Sequence, residues 1–267
     1  MEWTLARAYR GHWPAKLVRA LGLQPRVRAV HHRISAPRWP AGRRALRVAF
    51  ASDLHAGPTT HPSTLDDAFA VLEAVAPDVI LLGGDYVFLF AEYIEQIATR
   101  LRRLAPPLGI YAVMGNHDLW ADDAAITRAL ADAGARVLVN ERAVLPAPFE
   151  HVALFGVDDP WTGTPPHRPL FHDDDAVRLV LVHAPEAMIH LRDEPFDVAI
   201  CGHTHGGHIA LPGGIPILVP GPMSRTYSHG RYELSGDRTL VVSRGVGSTE
   251  VTLRLNANPD IIVLEVA

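Results

Sequence analysis

Histidine, aspartate and asparagine residues occur in five short motifs, and each motif directly follows a short apolar run of the chain. The five motifs are Asp53-Leu54-His55, Gly83-Gly84-Asp85, Gly115-Asn116-His117-Asp118, His183, and Gly202-His203-Thr204-His205-Gly206-Gly207. Carboxylate, amide and imidazole groups without thiolates suit Mn, Fe or Zn better than they suit a soft metal. The residue types therefore indicate a metal-dependent reaction.

The spacing inside the motifs supports this interpretation. Asp53 and His55 are two residues apart in a segment that should be extended, so both side chains can reach one ion. Asp85 has two carboxylate oxygens and is the natural bridge between two ions. Taken one at a time, most of these motifs are more often turns or structural histidines. Their joint occurrence in this order, always after an apolar run, favours one shared site.

The elements that must position these motifs alternate between strand and helix in the first half of the chain. The predicted strands are 46–51, 79–82 and 110–114, and the predicted helices are 63–75, 91–104 and 121–133. This alternation predicts an α/β domain. The carboxyl ends of such strands lie at one edge of a sheet, where ligand sites usually form.

Strands dominate the prediction for the second half, with one short helix at 185–191. The predicted strands are 136–139, 142–145, 151–157, 177–182, 197–201, 208–211, 239–243 and 261–266. Strand–helix units followed by many strands predict two packed sheets with helices outside. We also predict a division into a basic N-terminal segment with a connector at 1–45 and a single domain at 46–267.

Charge is divided unevenly along the 267-residue chain. Residues 1–47 carry eleven Lys or Arg and one acid, whereas the remainder carries fourteen Arg and twenty-eight acids. A basic end on an acidic body indicates contact with an anionic surface, either a membrane or a nucleic acid. Nucleic acid is the less favoured partner, because a nuclease needs a basic channel and the chain after residue 47 is strongly acidic. The single cysteine, Cys201, excludes an intrachain disulfide.

Residues 3–21 mix tryptophan and leucine with arginine, a pattern typical of a short basic amphipathic helix. Such a helix could lie on a membrane surface, pack on its own domain or bind a partner. No apolar run reaches the roughly 18 residues of a membrane-spanning helix, and arginines interrupt every stretch that could form a signal-peptide core. We therefore expect a cytoplasmic protein, with peripheral attachment to the inner membrane through residues 1–30 as one reading.

The five motifs resemble those of the calcineurin-like metallophosphoesterases, whose series is Asp-x-His, Gly-Asp, Gly-Asn-His-Asp/Glu, His and Gly-His-x-His. Four longer runs are similar to a bacterial branch of that family, the YaeI/YkuE-like phosphodiesterases. These runs are 80–87, 156–160, 202–207 and 243–247. The resemblance covers residues 46–266 and implies a metallophosphoesterase domain. Its fold would be a four-layer αββα sandwich of two mixed β-sheets flanked by helices, with the metal site at the carboxyl ends of strands.

The resemblance also assigns roles to residues. Seven side chains would bind two divalent ions, Mn²⁺, Fe²⁺/Fe³⁺ or Zn²⁺: Asp53, His55 and His205 one ion, Asn116, His183 and His203 the other, and Asp85 both. His117 would donate a proton instead of binding metal. Two positions depart from the relatives. Phe88 stands where many of them have Asp, and His208 stands where this branch often has Gln.

The implied reaction is hydrolysis of a phosphoester with two metal ions, and the branch favours a phosphodiesterase or pyrophosphatase. A membrane-associated lipid substrate such as UDP-2,3-diacylglucosamine is attractive, because related enzymes use it and the N-terminus is basic. A nuclease or a cyclic-nucleotide phosphodiesterase is the rival with the same chemistry. A non-catalytic scaffold of the same fold is disfavoured, because every implied ligand and His117 are present.

Overall fold

The chain forms seven α-helices and fourteen strands within residues 2–166, 170–172 and 176–267, the part that this computed structural model describes. The α-helices are α1 (Glu2–Ala8), α2 (Trp13–Ala20), α3 (Pro62–Ala74), α4 (Ile94–Leu101), α5 (Asn116–Ala121), α6 (Asp123–Asp132) and α7 (Pro222–Thr226). The strands are β1 (Arg28–Ile34), β2 (Leu46–Ala51), β3 (Val79–Leu82), β4 (Ile110–Ala112), β5 (Ala135–Val137), β6 (Glu141–Val144), β7 (Val152–Gly156), β8 (Val177–Leu181), β9 (Val198–Cys201), β10 (Ala210–Leu211), β11 (Ile215–Pro216), β12 (Gly230–Leu234), β13 (Arg238–Val242) and β14 (Asp260–Val266). Short 3-10 helices lie at Arg10–His12, Ala91–Tyr93, Pro185–Ile189 and His205–Gly207.

Two six-stranded sheets form the centre of the molecule. The first has the order β1-β14-β2-β3-β4-β5, and its strands are parallel except for the antiparallel β14–β2 pair. The second has the order β12-β13-β9-β8-β7-β6, with parallel inner pairs and antiparallel pairs at both edges. Both sheets are therefore mixed. Strands β10 and β11 pair separately as a short hairpin.

Three clusters of buried apolar side chains hold the layers together. Between the sheets, Phe50 and Leu81 of the first sheet share a cluster with Leu179 and Ile200 of the second. Another cluster joins the opposite face of the first sheet to α3, α4 and α6. The third covers the outer face of the second sheet with residues of the 3-10 helix Pro185–Ile189. This order of layers confirms the four-layer αββα sandwich.

The differences from the predicted elements have local causes. Strand β1 is missing from the prediction because charged and polar residues interrupt its apolar pattern, which an exposed edge strand tolerates. The predicted helix at 121–133 is present as α6, and the separate helix α5, which precedes it, is missing from the prediction. Asp122 is extended there, and its side chain accepts a hydrogen bond from the Ala125 N–H at 2.9 Å. Asp122 is thus the N-cap of α6.

The basic N-terminal segment contains two α-helices where the sequence predicts one. Gly11 and His12 have φ angles of 76° and 59°, in the left-handed region, so the helix breaks between α1 and α2. Strand β1 then joins this segment to the first sheet by parallel pairing with β14. The domain boundary after residue 45 stays a prediction. None of the helices in the described residues has the length and apolar character needed to cross a membrane.

Candidate metal centre

The five predicted motifs come together at the carboxyl ends of strands from both sheets. In the first sheet they follow β2, β3 and β4, and in the second sheet they follow β8 and β9. Six of the seven predicted ligands fall into groups whose ligand atoms lie within 4.8 Å of one another. The seventh, Asn116, is adjacent to them through a contact with His183. The order of strands therefore brings together side chains that are far apart in sequence.

Asp53, His55 and His205 form the first group of ligand atoms. The Nε2 atoms of His55 and His205 are 3.1 Å apart, and His205 Nε2 is 3.5 Å from Asp53 Oδ1. Asp85 Oδ2 lies 3.6 Å from His55 Nε2. All four side chains are buried. Each of these four side chains thus has a ligand atom within 3.6 Å of a ligand atom of another.

Asn116, His183 and His203 form the second group. His183 Nε2 is 3.2 Å from Asn116 Oδ1 and 3.2 Å from His203 Nδ1. The same Asp85 Oδ2 lies 3.3 Å from His183 Nε2. One carboxylate oxygen therefore faces both groups, which is the arrangement expected of a ligand shared by two ions.

The separations between these atoms fit two metal ions. Ligands with bond lengths of about 2.0–2.2 Å lie roughly 3–3.5 Å from each other around one ion, and the donor atoms named above are 3.1–3.6 Å apart. Two pairs of imidazole nitrogens also face each other, one pair in each group. The two nitrogens of each pair are 3.1–3.2 Å apart, a hydrogen-bond distance, so a bound cation would take the place of the proton between them.

Burial and nearby charges set the protonation of this site. Burial lowers the pKa of His55 and of His203 to about 3, so both rings are neutral at pH 7 and able to bind metal. Burial also raises the pKa of Asp53 to about 6. His183 behaves differently. Burial lowers its pKa, but the carboxylates of Asp85 and Asp53 outweigh this effect and raise the pKa well above its ordinary value.

The backbone at the site adopts a conformation that residues with a Cβ seldom adopt. Positive φ angles occur at five of the predicted ligands: Asp53 (54°), His55 (42°), Asp85 (55°), His203 (70°) and His205 (51°). Each such residue costs on the order of 1–3 kcal/mol, and strain of this kind clusters at functional sites. Glycine is needed beside them, because a Cβ on Gly202 would collide with the side chains of Ser52 and Asp53.

Comparison with known proteins identifies the family. The model of the calcineurin-like phosphoesterase family matches residues 46–207, which contain all five motifs. This chain belongs to the calcineurin-like phosphoesterases. The match confirms the family resemblance and shows that the chain is a phosphoester hydrolase of a family that binds divalent metal ions.

Relatives of this phosphoesterase extend over most of its length. Phosphodiesterase YaeI of Escherichia coli (strain K12) is 35% identical over 228 residues, which are 82% of this chain and 82% of the relative. The uncharacterized metallophosphoesterase YkuE of Bacillus subtilis (strain 168) is 28% identical over 243 residues, 89% of this chain and 84% of the relative. Among solved structures, the Haemophilus influenzae NAD nucleotidase (NadN) matches with 14% identity and a TM-score of 0.47, over 76% of this chain and 45% of that chain.

In this calcineurin-like phosphoesterase, Asp118 holds the third motif in place, a role that the sequence alone does not assign. Its Oδ2 accepts hydrogen bonds from the N–H groups of Asp85 at 2.7 Å and Gly115 at 3.0 Å. Its Oδ1 accepts one from the Tyr86 N–H at 2.8 Å. The side chain is fully buried. Asp118 therefore ties the end of β3 to the start of α5, which carries His117.

His117 lies beside the predicted ligands and lines a cavity of about 600 Å³, and one of its ring nitrogens is within 4.8 Å of ligand atoms of His55 and Asp85. Its backbone N–H donates to Asp85 Oδ1 at 2.9 Å, and its ring centroid is 5.0 Å from that of His55. Phe88 is buried, with its ring centroid 5.5 Å from that of His117. Phe88 therefore packs against the His117 side of the phosphoesterase site.

Arg254 and His208 surround His205. The Arg254 Nη2 is 2.9 Å from His205 Nδ1, and the guanidinium is buried among backbone carbonyls, including that of Arg244 at 2.9 Å. The His208 ring is stacked on the His205 ring with centroids 4.2 Å apart. The Arg254 N–H donates to His205 Nδ1, since a guanidinium has no acceptor, and together with the stacked His208 it fixes the orientation of the His205 ring. No local motif marks Arg254, because it is 49 residues from His205 in sequence and only the fold brings the two side chains into contact.

Proposed function

We propose that the chain is a two-ion phosphodiesterase in which Asp85 joins the ions and His117 supplies a proton. This proposal rests mainly on one observation: Asp85 Oδ2 lies 3.6 Å from His55 Nε2 and 3.3 Å from His183 Nε2. The ligand set is Asp53, His55 and His205 for one ion, Asn116, His183 and His203 for the other, and Asp85 for both. When bound, two divalent ions neutralise charge on the phosphoryl group and lower the pKa of water.

The chain's own residues contribute orientation and proton transfer. His117 follows the ligand Asn116 directly and lines the cavity, so its imidazole can give a proton to the leaving oxygen as the ester bond breaks. The hydrogen bond from its N–H to Asp85 and the clamp formed by Asp118 hold it in position. Groups held in this way need little rearrangement during the reaction, which lowers the barrier.

The charge of the cavity favours a diester over a monoester. A phosphomonoester carries about −1.5 to −2 charge at pH 7, whereas a diester carries a single negative charge. No lysine or arginine is found among the described residues that line the cavity, and its charged side chains include the acids Asp85 and Glu250. The two ions would therefore supply most of the positive charge. The name of the relative YaeI, a phosphodiesterase, agrees with this proposal.

A membrane-associated substrate is the finer part of the proposal. The Tyr9 hydroxyl donates to the Glu250 carbonyl at 3.1 Å, which ties the N-terminal helices to a loop that lines the cavity. Trp13 and Leu17 of α2 are about half exposed, and the basic residues of both helices are exposed beside them. This surface suits an anionic bilayer at the cytoplasmic face of the inner membrane. It would bring the cavity close to a lipid-linked phosphoester such as UDP-2,3-diacylglucosamine.

Acidic substitutions at Trp13 and Leu17 should weaken membrane binding. We expect the double variant Trp13→Glu, Leu17→Glu to sediment with vesicles containing phosphatidylglycerol about tenfold less strongly, because burying one such side chain is worth about 1.5–3 kcal/mol. The matched control is Val139→Glu, Val144→Glu, which alters two exposed apolar residues elsewhere. Equal binding by both variants would contradict the proposal. Point variants are preferable to deletion of residues 1–42, because deletion would also remove β1 from the first sheet.

Metal removal tests the two-ion site. Chelation should abolish hydrolysis of bis(4-nitrophenyl) phosphate, and Mn²⁺ should restore it with two ions bound per chain by elemental analysis. Because the raised pKa of His183 leaves a proton on its ring when no cation is bound, metal binding should release protons and weaken as the pH falls. Calorimetry in buffers of different protonation enthalpy measures this release. Full activity after chelation, or an affinity for Mn²⁺ that does not change with pH, would count against the proposed site.

A further inference from the structure

We infer that Trp120 and Trp161 recognise the two organic groups of a phosphodiester, Trp120 the leaving group and Trp161 the group that stays on phosphorus. This inference rests on the proposed phosphodiesterase function and narrows its substrate class. The substrates would carry a flat or bulky apolar group on each ester oxygen.

Both tryptophans present large apolar surfaces to the cavity of about 600 Å³. Trp120 is 56% exposed and Trp161 is 46% exposed, although tryptophan is highly buried on average in folded proteins. Ile217, Leu218 and Val251 line the same cavity and are also exposed. A phosphate group occupies only a small part of this space. An exposed apolar surface next to a few polar groups is typical of a site that binds an organic ligand.

Trp120 lies on the same side of the cavity as the proposed proton donor. It follows His117 by three residues on α5, a spacing that places both side chains on one face of the helix. The two ring centroids are 4.9 Å apart, and the ring planes meet at 67°. A proton donor must contact the leaving oxygen. The group attached to that oxygen would therefore lie against Trp120.

Trp161 lies beside the second ligand group. Its ring centroid is 5.4 Å from that of His203, with the ring planes at 34°. Two contacts fix its position. The backbone N–H of Trp161 donates to the buried Asp159 carboxylate at 3.0 Å. The indole ring packs so closely on Gly221 that an added Cβ would be 2.8 Å from Trp161 Cζ2. Trp161 is therefore a positioned wall of the cavity.

The phosphorus of the substrate would sit between these walls, next to Asp85, which faces both ligand groups. If the leaving group points toward His117 and Trp120, the second ester group points away from them. Trp161 is the large flat side chain on that remaining side, next to His203. Each tryptophan would therefore select a different substituent of the same diester.

Two substrates that share a leaving group separate these roles. They are methyl 4-nitrophenyl phosphate and phenyl 4-nitrophenyl phosphate, assayed at saturating Mn²⁺ with the full-length protein. We expect the wild-type KM to be about three- to tenfold lower for the phenyl ester, the range that one aromatic pair supplies. Trp161→Ala should abolish this preference. Trp120→Ala should raise both KM values by about three- to tenfold and keep their ratio.

Controls make the test specific. Val144→Ala trims an exposed apolar side chain of β6 that does not line the cavity, and it should change neither KM value. Trp120→Phe and Trp161→Phe should keep most of the effect of each ring, and thermal melting checks that every variant is folded. If the wild-type protein hydrolyses neither diester, the proposed function itself is refuted. Hydrolysis of both with an unchanged KM ratio in Trp161→Ala, or a changed ratio in Trp120→Ala, would overturn the assignment of the two tryptophans.

Discussion

Replacing Asp85 by asparagine should remove most of the bound metal and lower kcat/KM by about a thousandfold or more, which corresponds to a loss of about 4 kcal/mol of transition-state stabilisation. Its Oδ2 is within 3.6 Å of imidazole nitrogens in both ligand groups. The substitution keeps the size of the side chain and an oxygen for the His117 N–H, but it removes the negative charge. A neutral amide would then stand between the two cations, and no negative charge there would reduce their mutual repulsion.

An aspartate at the opposite end of the same strand provides the control. Asp78 directly precedes β3, whereas Asp85 follows it, and Asp78 forms an ion pair with Arg44 at 2.7 Å. Asp78→Asn weakens this pair, far from the ligand groups, and should leave metal content and activity intact. Two ions per chain and wild-type turnover in Asp85→Asn, measured by elemental analysis and diester hydrolysis, would disprove the shared-ligand role.

The sequence reveals this site well because its ligands follow buried strands. Central strands such as β3 and β9 are buried at every residue and appear as continuous apolar runs. The motif after each run is then easily placed at a strand end. Edge strands β1 and β12 are harder to recognise, because they alternate between partly buried and exposed residues. Their charged side chains face solvent and hide the pattern.

Side chains that support the ligands are less visible in the sequence for a different reason. Arg254 reaches His205 only because the fold brings the segment after β13 next to the loop after β9. Trp161 lies in the cavity because Asp159 and Gly221, which are 62 positions apart, fix its loop and its ring. Asp118 is an intermediate case: an acid three residues after Gly115 is a helix-start pattern, but its contacts with Asp85 and Tyr86 depend on the fold. Tertiary contacts decide the other two.

Replacing His117 by alanine should leave both ions bound and lower kcat by about 10²–10⁴-fold, the usual contribution of a general acid. The imidazole is not needed to complete either ligand group, because each group has three other side chains and Asp85. Its backbone N–H, which donates to Asp85 Oδ1, is kept in the variant. Metal content should therefore match the wild type while turnover falls, which is the opposite of the pattern expected for Asp85→Asn.

The leaving group distinguishes a lost proton donor from a disturbed site. 4-Nitrophenolate leaves readily without a proton, whereas an alkoxide does not, so the His117→Ala defect should be much larger for a dialkyl phosphate than for an aryl diester. A general loss of metal or substrate binding would reduce both rates equally. His31→Ala, at an exposed position of β1, is the matched control and should affect neither substrate. The contradicting result is a His117→Ala variant that, at saturating Mn²⁺, hydrolyses both the aryl diester and the dialkyl ester as fast as the wild type does. The proton would then come from another group.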